Sequence, residues 1–236
     1  MLFDLLLECD TLRNAAASGR IGFGINHVMV GPINKTLDLV ITVVPPNRNG
    51  ARRRRFDEVG RSLGIALPPD DEAALASLPV IEQDRKDDVS EVAIALEAKA
   101  CMTEHVKSLP RLHAEILATG YLAKRASRRC ITVSYSLVNA APTFVTPSGK
   151  GKVNHHNQPD DARRVVDMIS HAVPTTSDSS DYGYDVVGIT TLDCRNDGSA
   201  VRVIDDPAVG PALMEHTRYD RMVRSLCSEF RNRFGR

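Results

Sequence analysis

The chain has 236 residues, 42% of them hydrophobic and 25% charged, with 15 Gly and 13 Pro. This composition suits a globular fold and excludes collagen-like, mucin-like and wholly unfolded chains. Thirty Lys and Arg balance 30 Asp and Glu, which excludes histone-like binding through a basic tail but leaves room for a local basic patch.

A chain of this length buries roughly 70% of its unfolded surface and needs no staples. No apolar stretch approaches the ~20 residues of a membrane helix, so no membrane partner is expected. The opening Leu-rich stretch is interrupted by Asp4 and Glu8, with no basic residue before it. It reads as an amphipathic helix over 2–17, stopped at Ser18-Gly19, and not as a leader. The five cysteines, Cys9, Cys101, Cys130, Cys194 and Cys227, are odd in number, widely spread and without CxxC spacing. They read as reduced thiols in a cytoplasm.

Gly22, Gly24, Gly31 and Pro32 punctuate a loop or short strand around 25–30. Gly22-Phe23-Gly24 lacks a third glycine and opens no helix, so no dinucleotide site is expected. Leu37 to Val44 is short and rich in β-branched residues, and Pro45-Pro46 ends it: a buried strand. Residues 47–88 read as an insertion. It holds the run Arg52-Arg53-Arg54-Arg55, a helix to about 63, a turn and helix start at Pro68-Pro69-Asp70, and a charged run from Glu82 to Asp88.

A second strand follows over 91–100, then a helix capped by Thr103 that runs to about 126, which Pro110 should bend or split. Cys130 to Val138 is a third strand. Residues 139–160 read as a loop, 160–172 as a helix and 174–183 as turn-forming. A hairpin brackets Asn196-Asp197-Gly198, and a final helix spans 212–233. The order predicts one mixed α/β domain, with 1–138 as its core and 139–236 as an extension of unassigned role.

Glu97-Ala98-Lys99 carries the most chemical information. Residues two apart on a strand project from one face, and Val92 to Leu96 before them contains no polar side chain. A strand that turns charged at its last residues delivers a carboxylate and an ammonium to the edge of a core. Acids there suit a hard cation, and a lysine there suits an oxyanion or an attacking water. Asp38, early in an otherwise apolar strand, is the best second acid, because a charge there is costly unless solvated or coordinated.

This arrangement resembles the PD-(D/E)xK nuclease superfamily typified by restriction endonucleases: a strand with an acid, a strand ending Glu-x-Lys, a long helix and a strand. The resemblance covers roughly residues 1–138 and implies a restriction-endonuclease-like core, a mixed central sheet flanked by helices. It also requires 47–88 to be inserted between the two active-site strands. It implies Asp38 and Glu97 as metal-binding acids, the main-chain carbonyl of Ala98 as a further ligand and Lys99 as the catalytic lysine. Mg²⁺ is the implied cofactor, with Mn²⁺ able to substitute. The implied activity is cleavage of DNA to a 5′-phosphate and a 3′-hydroxyl, naturally by a homodimer. Leu37 stands where the family pattern has proline. Asp87 and Asp88 are rivals to Asp38 but would lie roughly 30 Å away, at the far end of the Glu97 strand. Glu8 could be the extra acid that some members carry on the first helix.

Further candidates each have a bland counterpart. Arg52 to Arg55 suit phosphate contacts or a solvated helix face partly cancelled by Asp57 and Glu58. Lys107, His105 and Arg111 suit contact with a scissile phosphate or ordinary helix surface. Lys150, Lys152, His155 and His156 suit a DNA-contacting loop or an exposed one. Arg218, Arg221, Arg224, Arg231, Arg233 and Arg236 suit nucleic acid, a partner subunit or a plain amphipathic helix. Cys101, with His105 or His113, would suit a cysteine nucleophile, but that leaves Glu97 and Lys99 unexplained. A second class of function uses the same fold without catalysis, as a nucleic-acid-binding or assembly protein.

Overall fold

The computed structural model describes residues 1–29, 34–44, 52–82, 91–147, 151–172 and 183–235, with the side chains of 52–54 and 80–82 left aside. In chain order the elements begin with helices α1 (Leu2–Glu8) and α2 (Asp10–Ala17), then strands β1 (Ile21–Met29), β2 (Lys35–Val43) and β3 (Arg52–Arg55). Next come α3 (Phe56–Ser62), α4 (Pro69–Ala76), β4 (Pro79–Glu82), β5 (Glu91–Cys101), α5 (His105–Ala126) and β6 (Ile131–Asn139). The chain continues with β7 (Thr143–Val145), β8 (Val153–His155), α6 (Asp160–Ala172), β9 (Val186–Asp193), β10 (Arg202–Ile204) and α7 (Tyr219–Phe234). Strand pairing is both parallel and antiparallel, so the α/β class with a mixed sheet holds.

The chain divides into two compact units, and β5, α5, β6 and α7 each run from one into the other. The first comprises Met1–Leu96, Leu122–Thr132 and Val223–Arg236. Its hydrogen-bonded strand order is β5-β2-β1-β4-β3. β1 pairs antiparallel with β2, and β2 pairs antiparallel with β5 in the register Leu39↔Leu96, Val40↔Ala95, Ile41↔Ile94. The strands bearing Asp38 and Glu97 are therefore sheet neighbours, although 47 residues separate Val43 from Glu91. Phe56, the first residue of α3, packs edge-on to Phe3 at 6.3 Å and against Phe23 at 6.0 Å. These rings, with Leu5, Leu6, Leu12 and Ile41, are nearly fully buried, each contributing about 1.5–3 kcal/mol of transfer free energy.

Several expectations in this unit are corrected. The first helix is two, broken at Cys9, whose backbone is extended (φ −113, ψ 95). Cys9 and Cys227 pair as a disulfide with Cα atoms 5.4 Å apart, so these two are not reduced thiols, while Cys101, Cys130 and Cys194 form no disulfide. The chain around 25–30 belongs to a nine-residue strand, β1. Arg52–Arg55 form strand β3, paired antiparallel with β4, and not a helix face. A register partner outweighs the modest helix propensity of arginine.

The second unit comprises Glu97–Tyr121 and Val133–Met222, with strand order β10-β9-β6-β5. β6 and β9 are parallel, and β9 and β10 form the expected hairpin, with Arg202 opposite Asp193. Asn196 (φ 55) and Gly198 (φ 91) take left-handed backbone in its connection. α6 turns Ala162, Val165, Val166 and Ile169 inward at helical spacing, where they pack with Ile116, Val138, Tyr184 and Ile189. A Cβ on Gly188 would lie 2.0 Å from Met222 Sδ, so only glycine lets β9 pass that close.

Pro110 does not split α5. It sits one and a half turns from the helix start, so one backbone hydrogen bond is lost, while Leu112 and Ile116 anchor the helix beyond it. Thr103 is not the cap. Glu104 (φ 52) precedes the helix, and its carbonyl accepts from Ser108 N–H at 3.0 Å. The expected loop 139–160 contains the β7–β8 hairpin, and the last helix starts at Tyr219 rather than 212. Most of 174–183 lies outside the described residues. Among those described, no helix is long and apolar enough to cross a membrane.

Candidate active site

β5 runs buried from Ala93 to Glu97 and reaches solvent at Ala98. An apolar strand covered on both faces cannot end in unpaired charge without a large desolvation cost. Glu97, the last residue of that buried run, keeps a side chain only 4% exposed, with Oε1 accepting from Lys99 Nζ at 2.5 Å. Lys99 Nζ is also 3.4 Å from Glu115 Oε2 on α5, and Glu115 Oε1 is 3.5 Å from Arg111 Nε. The result is a chain of alternating charge: Glu97, Lys99, Glu115, Arg111. Burial pushes the Lys99 ammonium toward neutrality, but the Glu97 hydrogen bond and the charges of Glu97 and Glu115 outweigh it and hold its pKa above the ordinary lysine value. Lys99 is a standing cation here, poised to neutralise an anion rather than to accept a proton.

Lys99 and Glu115 face a cleft of about 420 Å³, lined also by Thr103, Glu104, Lys107 and Arg111. Lys107 is 80% exposed and 3.4 Å from Glu104; Arg111 is 82% exposed. Both cations are therefore available to a ligand in the cleft, with little of their charge cancelled at these distances. Glu115 went unrecognised in the sequence. Its signal was the Arg111–Glu115 pair at i, i+4 on the helix after Lys99.

His105 is not helix surface. It is 2% exposed, Nε2–H donates to the Asn139 carbonyl at 2.7 Å, and burial lowers its pKa. His156 packs edge-on to it at 4.7 Å, bonded to Ala141 O and Thr103 Oγ1. These two histidines brace the loops and do not offer themselves to a phosphate. Cys101 is buried, burial pushes its thiol pKa up, and its neighbour is Ser108 Oγ at 3.4 Å. A nucleophilic thiolate needs the opposite environment, so the cysteine reading is set aside.

The remaining candidates lie on other elements. Asp38 lies half-buried on β2, immediately before Leu39, the partner of Leu96. Glu8 ends α1 exposed. The side chains of Arg52, Arg53 and Arg54 lie outside the described residues, while Arg55 pairs with Asp57 at 2.8 Å. Asp87, Asp88, Lys150 and Arg236 also lie outside the described residues; Lys152 and His155 are exposed. Arg218 is engaged by Asp205 at 2.5 Å and Asp220 at 2.8 Å, and Arg233 by Glu229 at 2.9 Å. Among the described residues, no three His, Cys, Asp or Glu side chains converge to hold a metal ion.

No protein-family model, curated protein or solved structure matches the chain.

Proposed function

We propose that the protein is a Mg²⁺-dependent DNA endonuclease of restriction type, built on a restriction-endonuclease-like α/β core. The observation that carries this reading is the Glu97–Lys99 pair. It sits where a buried strand meets a cleft, on the strand that pairs with the Asp38 strand.

The donor set is all hard oxygen: the Asp38 and Glu97 carboxylates and the Ala98 carbonyl. That chemistry suits Mg²⁺, with Mn²⁺ as substitute. Mg²⁺ is commonly held by one or two carboxylates plus substrate phosphate and water rather than by a closed protein cage, which is compatible with the lack of a three-acid cluster among the described residues. Asp38, Glu97 and the Ala98 carbonyl would hold the ion. When bound, the ion would polarise the phosphodiester and activate water.

The protein's own part follows from charge and position. Lys99, held as an ammonium, stabilises charge that builds on the phosphorus oxygens during attack. Lys107 and Arg111, exposed on the cleft wall, place the DNA backbone, and Arg52, Arg53, Arg54 and Arg55 are further candidates for phosphate contact. The products are a 5′-phosphate and a 3′-hydroxyl. Cutting both strands of a duplex is the work of a homodimer. The reading places the enzyme in the cytoplasm, a setting in which the Cys9–Cys227 pair would be unusual.

A second reading, a nucleic-acid-binding or assembly protein without catalysis, is favoured by the Lys99 ammonium already being shared between two carboxylates. Supercoiled plasmid incubated with the protein in Mg²⁺, in EDTA, and with Lys99→Ala separates the two. Nicking or linearisation only in Mg²⁺ with unaltered protein is expected. Cutting that persists in EDTA rejects the metal nuclease, and binding without cutting in any metal favours the second reading.

A further inference from the structure

Glu115 lines the cleft beside Lys99 and has no role in the nuclease reading above. On a different element from Glu97, it lies 3.4 Å from Lys99 Nζ, while Arg111, one turn earlier on α5, lies 3.5 Å from its other oxygen. Its carboxylate is 42% exposed and lines the cleft, whereas that of Glu97 is 4% exposed. A lysine side chain has four rotatable bonds, and its ammonium is a mobile point charge unless something fixes it. Glu97 alone is one anchor, and an ammonium on one anchor still swings about it. A second carboxylate, from a different element, converts the swing into a fixed location. Two of the three N–H donors are then directed to acids, and the third is left for the cleft.

We infer that Glu115 is a positioning residue for Lys99: with Glu97 it forms a carboxylate–ammonium–carboxylate bridge that fixes the lysine charge at the mouth of the cleft. This inference rests on the nuclease reading for its effect on rate, but the bridge can be observed without any cleavage. An ion pair kept only for stability would move the melting point and leave turnover alone. A positioning pair does the reverse, because misplacing a catalytic charge by about 1 Å can cost up to about a hundredfold in rate.

The test compares Glu115→Gln and Glu115→Asp with the unaltered protein in two measurements. The first is plasmid cleavage in Mg²⁺, resolved into kcat and KM. The second is the ¹⁵N spectrum of lysine-labelled protein, in which the Lys99 ammonium is identified by its loss in Lys99→Arg. Glu115→Gln, nearly isosteric at a half-exposed position, is expected to keep its melting point and KM while kcat falls about ten- to a hundredfold. The Lys99 ammonium signal, visible when its protons are held from exchange, should vanish in the same variant. Glu115→Asp should restore part of both. A Glu115→Gln protein with unchanged kcat and an unchanged ammonium signal overturns the inference. If the unaltered protein cuts no DNA while the signal still disappears in Glu115→Gln, the bridge stands and the nuclease reading falls.

Discussion

Asp57 in the first unit lies between two guanidinia, 2.8 Å from Arg55 and 2.5 Å from Arg61. Lys99 in the second unit lies between two carboxylates, 2.5 Å from Glu97 and 3.4 Å from Glu115. The two clusters invert each other's charge but differ in setting. Asp57 is buried at the second position of α3, where the helix dipole also favours an acid. Its arginines are 56% and 59% exposed, and Arg61 spends its remaining capacity on Glu72. That charge is closed in and fastens a helix start. Lys99 borders an open cleft with further cations on its wall. The same physics, a buried charge satisfied twice, serves anchoring in one place and leaves a charge accessible in the other. Exposure to a cavity, not the number of ion pairs, separates the two.

That contrast can be broken by exchanging the expected phenotypes. Lys99→Ala should cut cleavage per folded molecule by about a hundredfold or more, a loss far larger than the lower melting midpoint expected from leaving the buried Glu97 carboxylate without its ammonium, read by plasmid digestion beside a thermal melt. Asp57→Asn should affect stability alone. Two guanidinia lose their shared carboxylate, the melting midpoint falls by about 3–8 °C, and cleavage per folded molecule is unchanged. If Asp57→Asn abolished cleavage while Lys99→Ala merely melted early, the assignment of the two clusters would be reversed.

Acid sharpens the same comparison. The hydrogen bond from Arg55, helped by that from Arg61 and by the charge of both, outweighs the cost of burial and holds the Asp57 carboxyl pKa down to about 2. An unfolded aspartate ionises near ~3.9. The folded value is the lower one, so the stabilisation is fully present above the unfolded value and is lost as pH falls through about 2. The difference in melting midpoint between the unaltered protein and Asp57→Asn should therefore be flat from pH 8 to about 5 and shrink steadily below about 4. A difference that grew on acidification would show that another group carries the effect. A still smaller effect belongs to Arg61→Ala, which removes one exposed partner and leaves Arg55 in place. A drop of about 0–3 °C by calorimetry is expected.

Much of this contrast could be read from sequence, and the unread part has a physical reason. Val92 to Leu96 followed by Glu97-Ala98-Lys99 gave both the buried strand and its charged end, because alternation and burial are local properties. Leu37 to Val44 was legible for the same reason, and its pairing with β5 followed from the resemblance and not from the residues. Glu115 was not found because its meaning is tertiary: sixteen residues beyond Lys99, it matters only once α5 brings its carboxylate to within 3.4 Å of Lys99 Nζ. The arginine run misled for a related reason. Nothing within Arg52–Arg55 announces the partner Pro79–Glu82 that makes it a strand. Cys9 and Cys227, 218 residues apart, left no spacing motif to read, and His105, polar and early in a helix, has the pattern of a surface residue although it is buried with Nε2–H donating to the Asn139 carbonyl.

Crystals grown with a short DNA duplex and soaked in Mn²⁺ test the central claim directly through the anomalous difference map. The account predicts a peak bonded to a carboxylate oxygen of Glu97, the carbonyl oxygen of Ala98 and Asp38, at roughly 2.0–2.4 Å from each, with Lys99 directed at the phosphate. A map with no peak beside Glu97, and Lys99 unmoved from its two carboxylates while the DNA lies intact elsewhere, would contradict it.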